Sequence, residues 1–387
     1  MKHIYYMALS LLIASSIFAG CQNAEYGVLK NQAYITQTKT NPNTVVKVFI
    51  DKENVTANLS VRLSGPAKTD CAFKLSEDAA TLMHYNSLNY TDYQFLTPEQ
   101  YTLSSNQVTI HKGETISESI DLNILPLTDE MKNSGKKFAV AISLSSDDGN
   151  ASILTPGARI IYILDPAIVT NVPVFGPQNN AYIKLEEDLA LSEWTVEFCV
   201  NMSMLGKDIG ELNNQALLDA CSELGEADGQ IYTRFGDAPI AGDVLQIKTQ
   251  GSQMNSQMHF ETNKWYHIAW VCTGTKLYLY VDGKLDNSID LPGKVTNISK
   301  EKCKIGNSDY LRSDLRMSEL RLWTRALKQK EIANNMYAVN PSSDGLFFYF
   351  KLNEGSGINF TDATGKGNKA YCVQENWMTG VRLNENN

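Results

Sequence analysis

The most constraining stretch is residues 263–293, NKWYHIAWVCTGTKLYLYVDGKLDNSIDLPG. It reads as two strands and the start of a third. Residues 265–272 place Ile268, Trp270 and Cys272 on one side and His267, Ala269 and Val271 on the other. After the turn Thr273-Gly274-Thr275, residues 276–281 set Leu277, Leu279 and Val281 against Tyr278 and Tyr280. Asp282-Gly283 supplies the positive φ of a tight hairpin, and residues 284–289 run back. A strand that is bulky on both faces is seldom an edge strand. The meander therefore belongs inside a sheet that packs on another sheet.

At 387 residues the chain exceeds one ordinary sandwich, and two domains are expected. Short alternating strands are expected at 33–38, 44–50, 57–63, 69–75, 107–111, 117–125, 137–144 and 159–164, punctuated by turns such as Asn41-Pro42-Asn43 and Gly65-Pro66. That density of strands across 33–167 reads as an immunoglobulin-like β-sandwich. A short helix is expected near 77–85 and a loop at 131–135. Residues 168–176 read as a linker stiffened by the flanking Pro166 and by Pro173, with the second domain over 177–387.

The pattern W-Y-H-I-A followed by L-Y-L-Y-V-D-G-K resembles the laminin-G-like, concanavalin-A-like jelly-roll family. Residues 180–200 are similar to its opening strands, 304–327 to its "R-L-W-x-R-A-L" segment, and 346–370 to its closing strands. The resemblance implies an all-β jelly roll that binds ligand on a concave sheet face or at its rim loops. In the first half, His84-Tyr85-Asn86, then YQFLTPEQYTL at 93–103 and VTIHKGE at 108–114, resemble an N-terminal domain of unknown function in Bacteroidota lipoproteins. Thr97 departs from the Leu-Pro step of that family. The resemblance implies a place ahead of glycan-binding or glycan-cleaving modules in polysaccharide utilisation. His84, Tyr85 and Asn86 themselves read as turn and core residues.

Lys2 precedes an apolar run over 4–20, too short for a comfortable spanning helix and suited to a secretory leader. Phe18-Ala19-Gly20-Cys21 resembles a bacterial lipobox, with Phe18 where Leu is usual. This implies cleavage before Cys21, a 21–32 tether, and anchorage of the Cys21 thiol in outer-membrane lipid. An ordinary secreted protein is the alternative, and residues 22–25 leave the membrane face undecided. The formal charge of −9 and the absence of any Lys/Arg cluster along the chain set nucleic acid aside. Cys71, Cys199, Cys221, Cys272, Cys303 and Cys372 contain no C-x-x-C pair. They read as free thiols, with one bridge in the second half as the alternative. No His/Cys spacing suits zinc.

Residues 215–251 hold the main candidate site. Tyr232, Arg234, Gln246 and Lys248 alternate with Ile231, Thr233, Leu245 and Ile247. Sugar recognition needs an aromatic face for C–H contacts and planar donors for hydroxyl pairs. Tyr232, Arg234 and Gln246 offer that mix, against the plain alternative of a solvated sheet face. Tyr310, Arg312 and Trp377 are further exposed candidates, while Trp194, Trp265, Trp270 and Trp323 read as core. The family resemblance also implies a structural calcium, with Glu223, Glu226, Asp228 and Asp362 as candidate ligands. Ser318 stands where the family has Asp, which counts against the ion.

Glycosidases of this fold carry E-x-D-x-x-E or E-x-D-x-E on one strand, and no such run occurs. Neither G-x-S-x-G nor H-E-x-x-H occurs. The reading is a non-catalytic, lipid-anchored glycan-binding protein that captures a polysaccharide or host glycan for a transporter or glycosidase. The alternatives are an adhesive protein that binds another protein or host matrix, and a hydrolase whose carboxylates meet from separate strands.

Overall fold

The structure, a computed structural model, describes residues 31–384 apart from 39–43, 135, 167 and 308. The leader and Cys21 lie outside the described residues. Among those described, no helix is long and apolar enough to cross a membrane.

The first domain is a sandwich. Its six-stranded sheet is centred on Phe138–Ser146, flanked by Arg159–Pro166 and Cys71–Glu77, and two three-stranded sheets complete it. Phe73, Leu75, Ile110, Ile120, Ile142 and Tyr162 fill the core. The strand expected at 57–63 divides into Val55–Leu59 and Val61–Leu63, which pair with different sheets through Ile120–Ile124 and Gln32–Ile35. Helix α1 (Ala79–Asn89) starts where the Asp78 carboxylate accepts from Thr81 N, and stops at the left-handed Tyr90. The segment expected as a loop at 131–135 begins inside helix α2 (Asp129–Asn133), because Thr128 Oγ1 caps Met131 N at 3.2 Å.

The joint is shorter than the sequence implies. Arg159–Pro166 leads almost directly into Val169–Phe175, a strand of the second domain paired with Trp377–Arg382 and Leu315–Trp323. Val172 and Phe175 are fully buried, and that apolar pattern draws most of the presumed 168–176 linker into the sheet.

The second domain is two eight-stranded sheets packed face to face. One contains β1 (Ala181–Lys184), β2 (Gln215–Ala220), β3 (Ile231–Asp237), β4 (Ile240–Thr249), β5 (Ser252–His259), β6 (Cys303–Ile305), β7 (Asn359–Thr361) and β8 (Lys369–Cys372), in the order β5-β4-β3-β2-β6-β1-β8-β7. The other holds the meander and is centred on Trp194–Met202 and Leu315–Trp323. Tyr266–Cys272 is buried on both faces, as its sequence requires. Ile268, Trp270 and Cys272 enter the core between the sheets, while Ala269 and Val271 pack outward beneath helix α3 (Gln329–Asn334). Asp282 and Gly283 have φ of 48° and 73°, the hairpin geometry expected. A Cβ on Gly283 would lie 2.7 Å from Ala333 Cα, so glycine also lets α3 approach the hairpin.

The domains meet through polar contacts. Asn334 Nδ2 donates to Asn89 O at 3.0 Å and Asn335 Nδ2 to Tyr90 O at 2.7 Å. Lys137 Nζ donates to Asn334 O at 2.8 Å and to Asn335 Oδ1 at 2.7 Å. The six described cysteines are free thiols, so the alternative of a bridge is not realised.

Candidate functional site

Along β1–β8, alternation sends Ala181, Ile183, Ala220, Ile231, Ile247 and Ala370 into the core and turns the intervening side chains outward. The cross-strand register then aligns one outward residue per strand across the whole sheet: Asn359, Tyr371, Tyr182, Lys304, Asp219, Tyr232, Lys248 and Gln253. Neighbouring strands lie about 4.8 Å apart, so the row is roughly 34 Å long. Its ends are open, with Asn359 and Gln253 exposed and Tyr182 at 42%. Its middle is sunken, with Asp219 half-buried and Tyr232 at 9%. This row, covered at its middle and open at its ends, is called the trough below. The Tyr182 and Tyr371 rings sit 5.7 Å apart, tilted by 38°, and Lys304 Nζ lies 3.8 Å from Asp219 Oδ2.

Tyr232 forms the floor. Its hydroxyl donates to Asn214 Oδ1 at 2.9 Å, the Arg234 guanidinium lies 5.6 Å from its ring centre, and burial pushes the phenol up to about 12. The sequence expectation for Arg234 and Gln246 needs correction. Arg234 Nε and Nη2 donate to Gln246 Oε1 at 3.0 and 2.6 Å, Nη1 donates to Asn214 Oδ1 at 2.7 Å, and Nη2 also bonds Asp237. Gln246 Nε2 donates to Asn255 Oδ1 at 2.8 Å. A guanidinium this deeply buried must satisfy its fork internally. Arg234 and Gln246 therefore brace Tyr232 and Asn214, and their donors do not await a sugar.

Tyr310, 45% exposed, is close enough to act electrostatically on the Tyr232 phenol. Arg312 is exposed, and its backbone N–H donates to Gln215 Oε1 at 3.3 Å, beside Asn214. Tyr310 thus lies near the trough, whereas Arg312 does not join it: its Nη1 donates to Leu311 O at 3.2 Å, and the Gln215 that its backbone N–H meets is buried. Trp377 does not join it either. It lies on a strand of the other sheet, its Nε1 donates to Gly357 O at 2.9 Å, and its ring meets Phe360 at 5.9 Å. Trp194, Trp265, Trp270 and Trp323 are buried, as expected of core residues. The sequence reading missed Tyr182, Tyr371, Lys304 and Asp219. The alternation Tyr182/Lys184 and Lys369/Tyr371 around apolar positions was the available signal.

The candidate calcium ligands do not assemble. Glu223 pairs with Lys302 at 3.1 Å, and Asp228 Oδ1 accepts from Asn297 Nδ2 at 2.8 Å. Asp362 accepts from Tyr349 N, Thr364 N, Thr364 Oγ1 and Asn368 Nδ2. The Glu226 side chain is outside the described residues. Calcium needs about six to eight oxygen ligands. No group of three or more His, Cys, Asp or Glu suited to a metal occurs among the described residues. These carboxylates act instead as turn and ion-pair partners.

A second charged cluster lies on the outer face of the other sheet, beneath α3. Glu197 Oε1 accepts from Arg321 Nη1 at 3.2 Å and from Trp323 Nε1 at 2.8 Å. Arg321 also bonds Glu319, which accepts from the Tyr349 hydroxyl. His267 Nε2 lies 3.5 Å from Glu197 Oε2. Burial alone would raise the Glu197 carboxyl, but Arg321, His267 and Trp323 outweigh it and hold it at about 2. A general acid needs the opposite shift, so Glu197 is not poised as one. The adjoining interdomain cavity, about 270 Å³, is bordered by Tyr90, Asp92, Trp323, Arg325 and Glu331. Its rings are already covered by the chain's own cations: Arg325 lies 5.1 Å from the Trp323 ring centre, and Lys328 lies 4.9 Å from that of Tyr90.

Residues 29–151 match the model of a family described as an N-terminal domain. Residues 177–333 match that of the concanavalin A-like lectin/glucanases superfamily. No curated protein matches. Among solved structures, a Bacteroides ovatus protein named as a candidate carbohydrate-binding protein aligns with 20% identity and a TM-score of 0.57. The alignment covers 91% of this chain and 100% of that one, and at this identity it shows a shared fold. The EndoBT-3987 structure from Bacteroides thetaiotamicron (18% identity, TM-score 0.29, covering 35% of this chain and 30% of that one) is too distant to carry an argument. The same holds for a pentraxin from Limulus polyphemus (13% identity, TM-score 0.38, 55% and 95%). The chain is an all-β protein whose residues 177–333 match the concanavalin A-like lectin/glucanases superfamily.

Proposed function

We propose that this chain is a non-catalytic glycan-binding protein that takes a linear polysaccharide along the trough. The observation that carries the reading is the cross-strand row from Asn359 to Gln253, with aromatic and hydrogen-bonding side chains interleaved on one sunken face. Tyr182 and Tyr371 offer ring faces to the C–H face of a pyranose. Lys304, Asp219, Asn359 and Gln253 offer donors and acceptors to its hydroxyls, and the exposed Tyr310 lies nearby. A trough that crosses every strand suits a chain more than a single sugar.

Two observations favour binding over hydrolysis. Asp219 faces Lys304 and Asp237 is bonded to Arg234, so each of these acids is held by a cation rather than set opposite a second carboxylate. An adhesive surface calls for a contiguous apolar patch, whereas the trough is polar and aromatic. The lipobox-like 18–21 segment supports a cell-envelope lipoprotein anchored through Cys21, which would hold the trough near a transporter or glycosidase of a polysaccharide utilisation system.

Affinity electrophoresis of the leader-free chain through gels containing plant, fungal and host polysaccharides tests the proposal. At least one polymer should retard the wild type and retard Tyr182→Ala much less. Unaltered mobility in every gel rejects it.

A further inference from the structure

Near the middle of the row a cation and an acid stand side by side without closing their contact. Lys304 on β6 is the register partner of Asp219 on β2. Its Nζ lies 3.8 Å from Asp219 Oδ2, which is longer than a hydrogen bond. The other oxygen, Oδ1, accepts from Nε2 of the buried Gln230 at 3.0 Å. The carboxylate is thus oriented from one side and keeps acceptor capacity on the other, because an ionised Asp offers about four lone-pair sites. The Lys304 and Asp219 side chains are 33% and 16% exposed, so both remain within reach of a ligand. Arg234 is the contrast, since its fork is spent on Gln246, Asn214 and Asp237. Register also places a ring on each side of the pair, Tyr182 next to Lys304 and Tyr232 next to Asp219.

Resting on the glycan-binding reading above, we infer that Lys304 and Asp219 together read a vicinal diol, two free hydroxyls on adjacent ring carbons of a sugar lying against Tyr182. One hydroxyl donates to Asp219 Oδ2, and its neighbour accepts from Lys304 Nζ. Adjacent gauche hydroxyls stand somewhat closer together than the 3.8 Å gap, so each meets its partner at ordinary hydrogen-bond length. Both bonds are charge-assisted. The ion pair they interrupt is long and partly hydrated, so its loss costs little. The substrate class follows from linkage. A 1,4-linked glucan, mannan or xylan leaves O2 and O3 free on every internal unit. A 1,3-linked glucan leaves no two adjacent hydroxyls free in the chain interior, and a 1,4-linked 2-acetamido sugar replaces one of the pair by an amide. The ligand is therefore a chain whose internal units keep adjacent hydroxyls free.

Affinity electrophoresis of the leader-free chain adds 1,4-linked glucan, mannan and xylan, 1,3-linked glucan and glycol chitin to the gels described above. The polymer that retards the wild type most should carry adjacent free hydroxyls and bind about tenfold more tightly than 1,3-linked glucan or glycol chitin. Periodate, which cleaves between adjacent free hydroxyls, should abolish its retardation. Lys304→Met and Asp219→Asn should each weaken binding to it about tenfold at an unchanged melting temperature. Strongest retardation by a polymer without adjacent free hydroxyls, retardation that survives periodate, or wild-type affinity in both variants overturns the inference and leaves glycan binding intact. Unaltered mobility in every gel removes both.

Discussion

On the outer face of one jelly-roll sheet, Glu197, Glu319 and Arg321 are buried beneath α3. On the outer face of the other, Lys184, Lys304, Asp219 and Lys369 remain within reach of water. Both faces carry charge, yet the physics differs. In the sealed cluster each ion was stripped of water and depends on its partners, so loss of one leaves the others uncompensated. In the trough the ions stay hydrated, contribute little to folding, and can exchange partners. Charge that is sealed serves the fold, and charge left half-open is, under the proposed function, the charge that meets a ligand.

The largest expected contrast comes from one substitution on each face. Arg321→Met should destabilise the protein by about 3–5 kcal/mol by leaving Glu197 and Glu319 unpaired. Lys304→Met should change stability by no more than about 0.5 kcal/mol. Urea denaturation of both variants checks this, and similar losses would erase the distinction.

Acid should expose the sealed cluster next. The Glu197 pKa is lowered in the folded state, to about 2 from an ordinary 4.5. Its stabilisation is thus present above the ordinary value and lost as pH falls from 4.5 towards 2, a change of about 3 kcal/mol. In Glu197→Gln the acid-unfolding profile should flatten across that window.

A smaller effect belongs to the domain contact. Burial lowers the Lys137 ammonium to about 8 from 10.5. The folded form releases this proton more readily than the unfolded form, so stability should rise as pH climbs from 8 towards 10.5, by no more than about 3 kcal/mol. Thermal melts of wild type and Lys137→Met across that range compare the slopes, and the variant should lose the rise. The smallest stability effect should be at the trough rim. Tyr182→Ala should leave stability within about 0.5 kcal/mol of wild type.

The architecture was legible because residues 265–272 carry bulk on both faces, which suits an interior strand of packed sheets, although the last strand of the meander, Lys284–Asp290, lies at the sheet edge. The Asp282-Gly283 turn and the core tryptophans followed from the same logic. The joint was misread because Pro166 and Pro173 suggest a linker, whereas burial of Val172 and Phe175 makes a strand. The site was half-legible. The outward position of Tyr232 followed from the alternation of one hairpin, but that hairpin alone cannot show that Asn214 and Gln246 occupy the donors of Arg234. Tyr182, Tyr371 and Lys304 were missed because register across eight strands, not proximity in sequence, brings them into line.

The central claim is that the row across β1–β8 binds a glycan chain. Titration calorimetry of wild type and the Tyr182→Ala/Tyr371→Ala variant against a polysaccharide that retards the wild type tests it most directly. The account predicts a loss of about tenfold or more in affinity with an unchanged melting temperature. Equal affinity in the two proteins would contradict it.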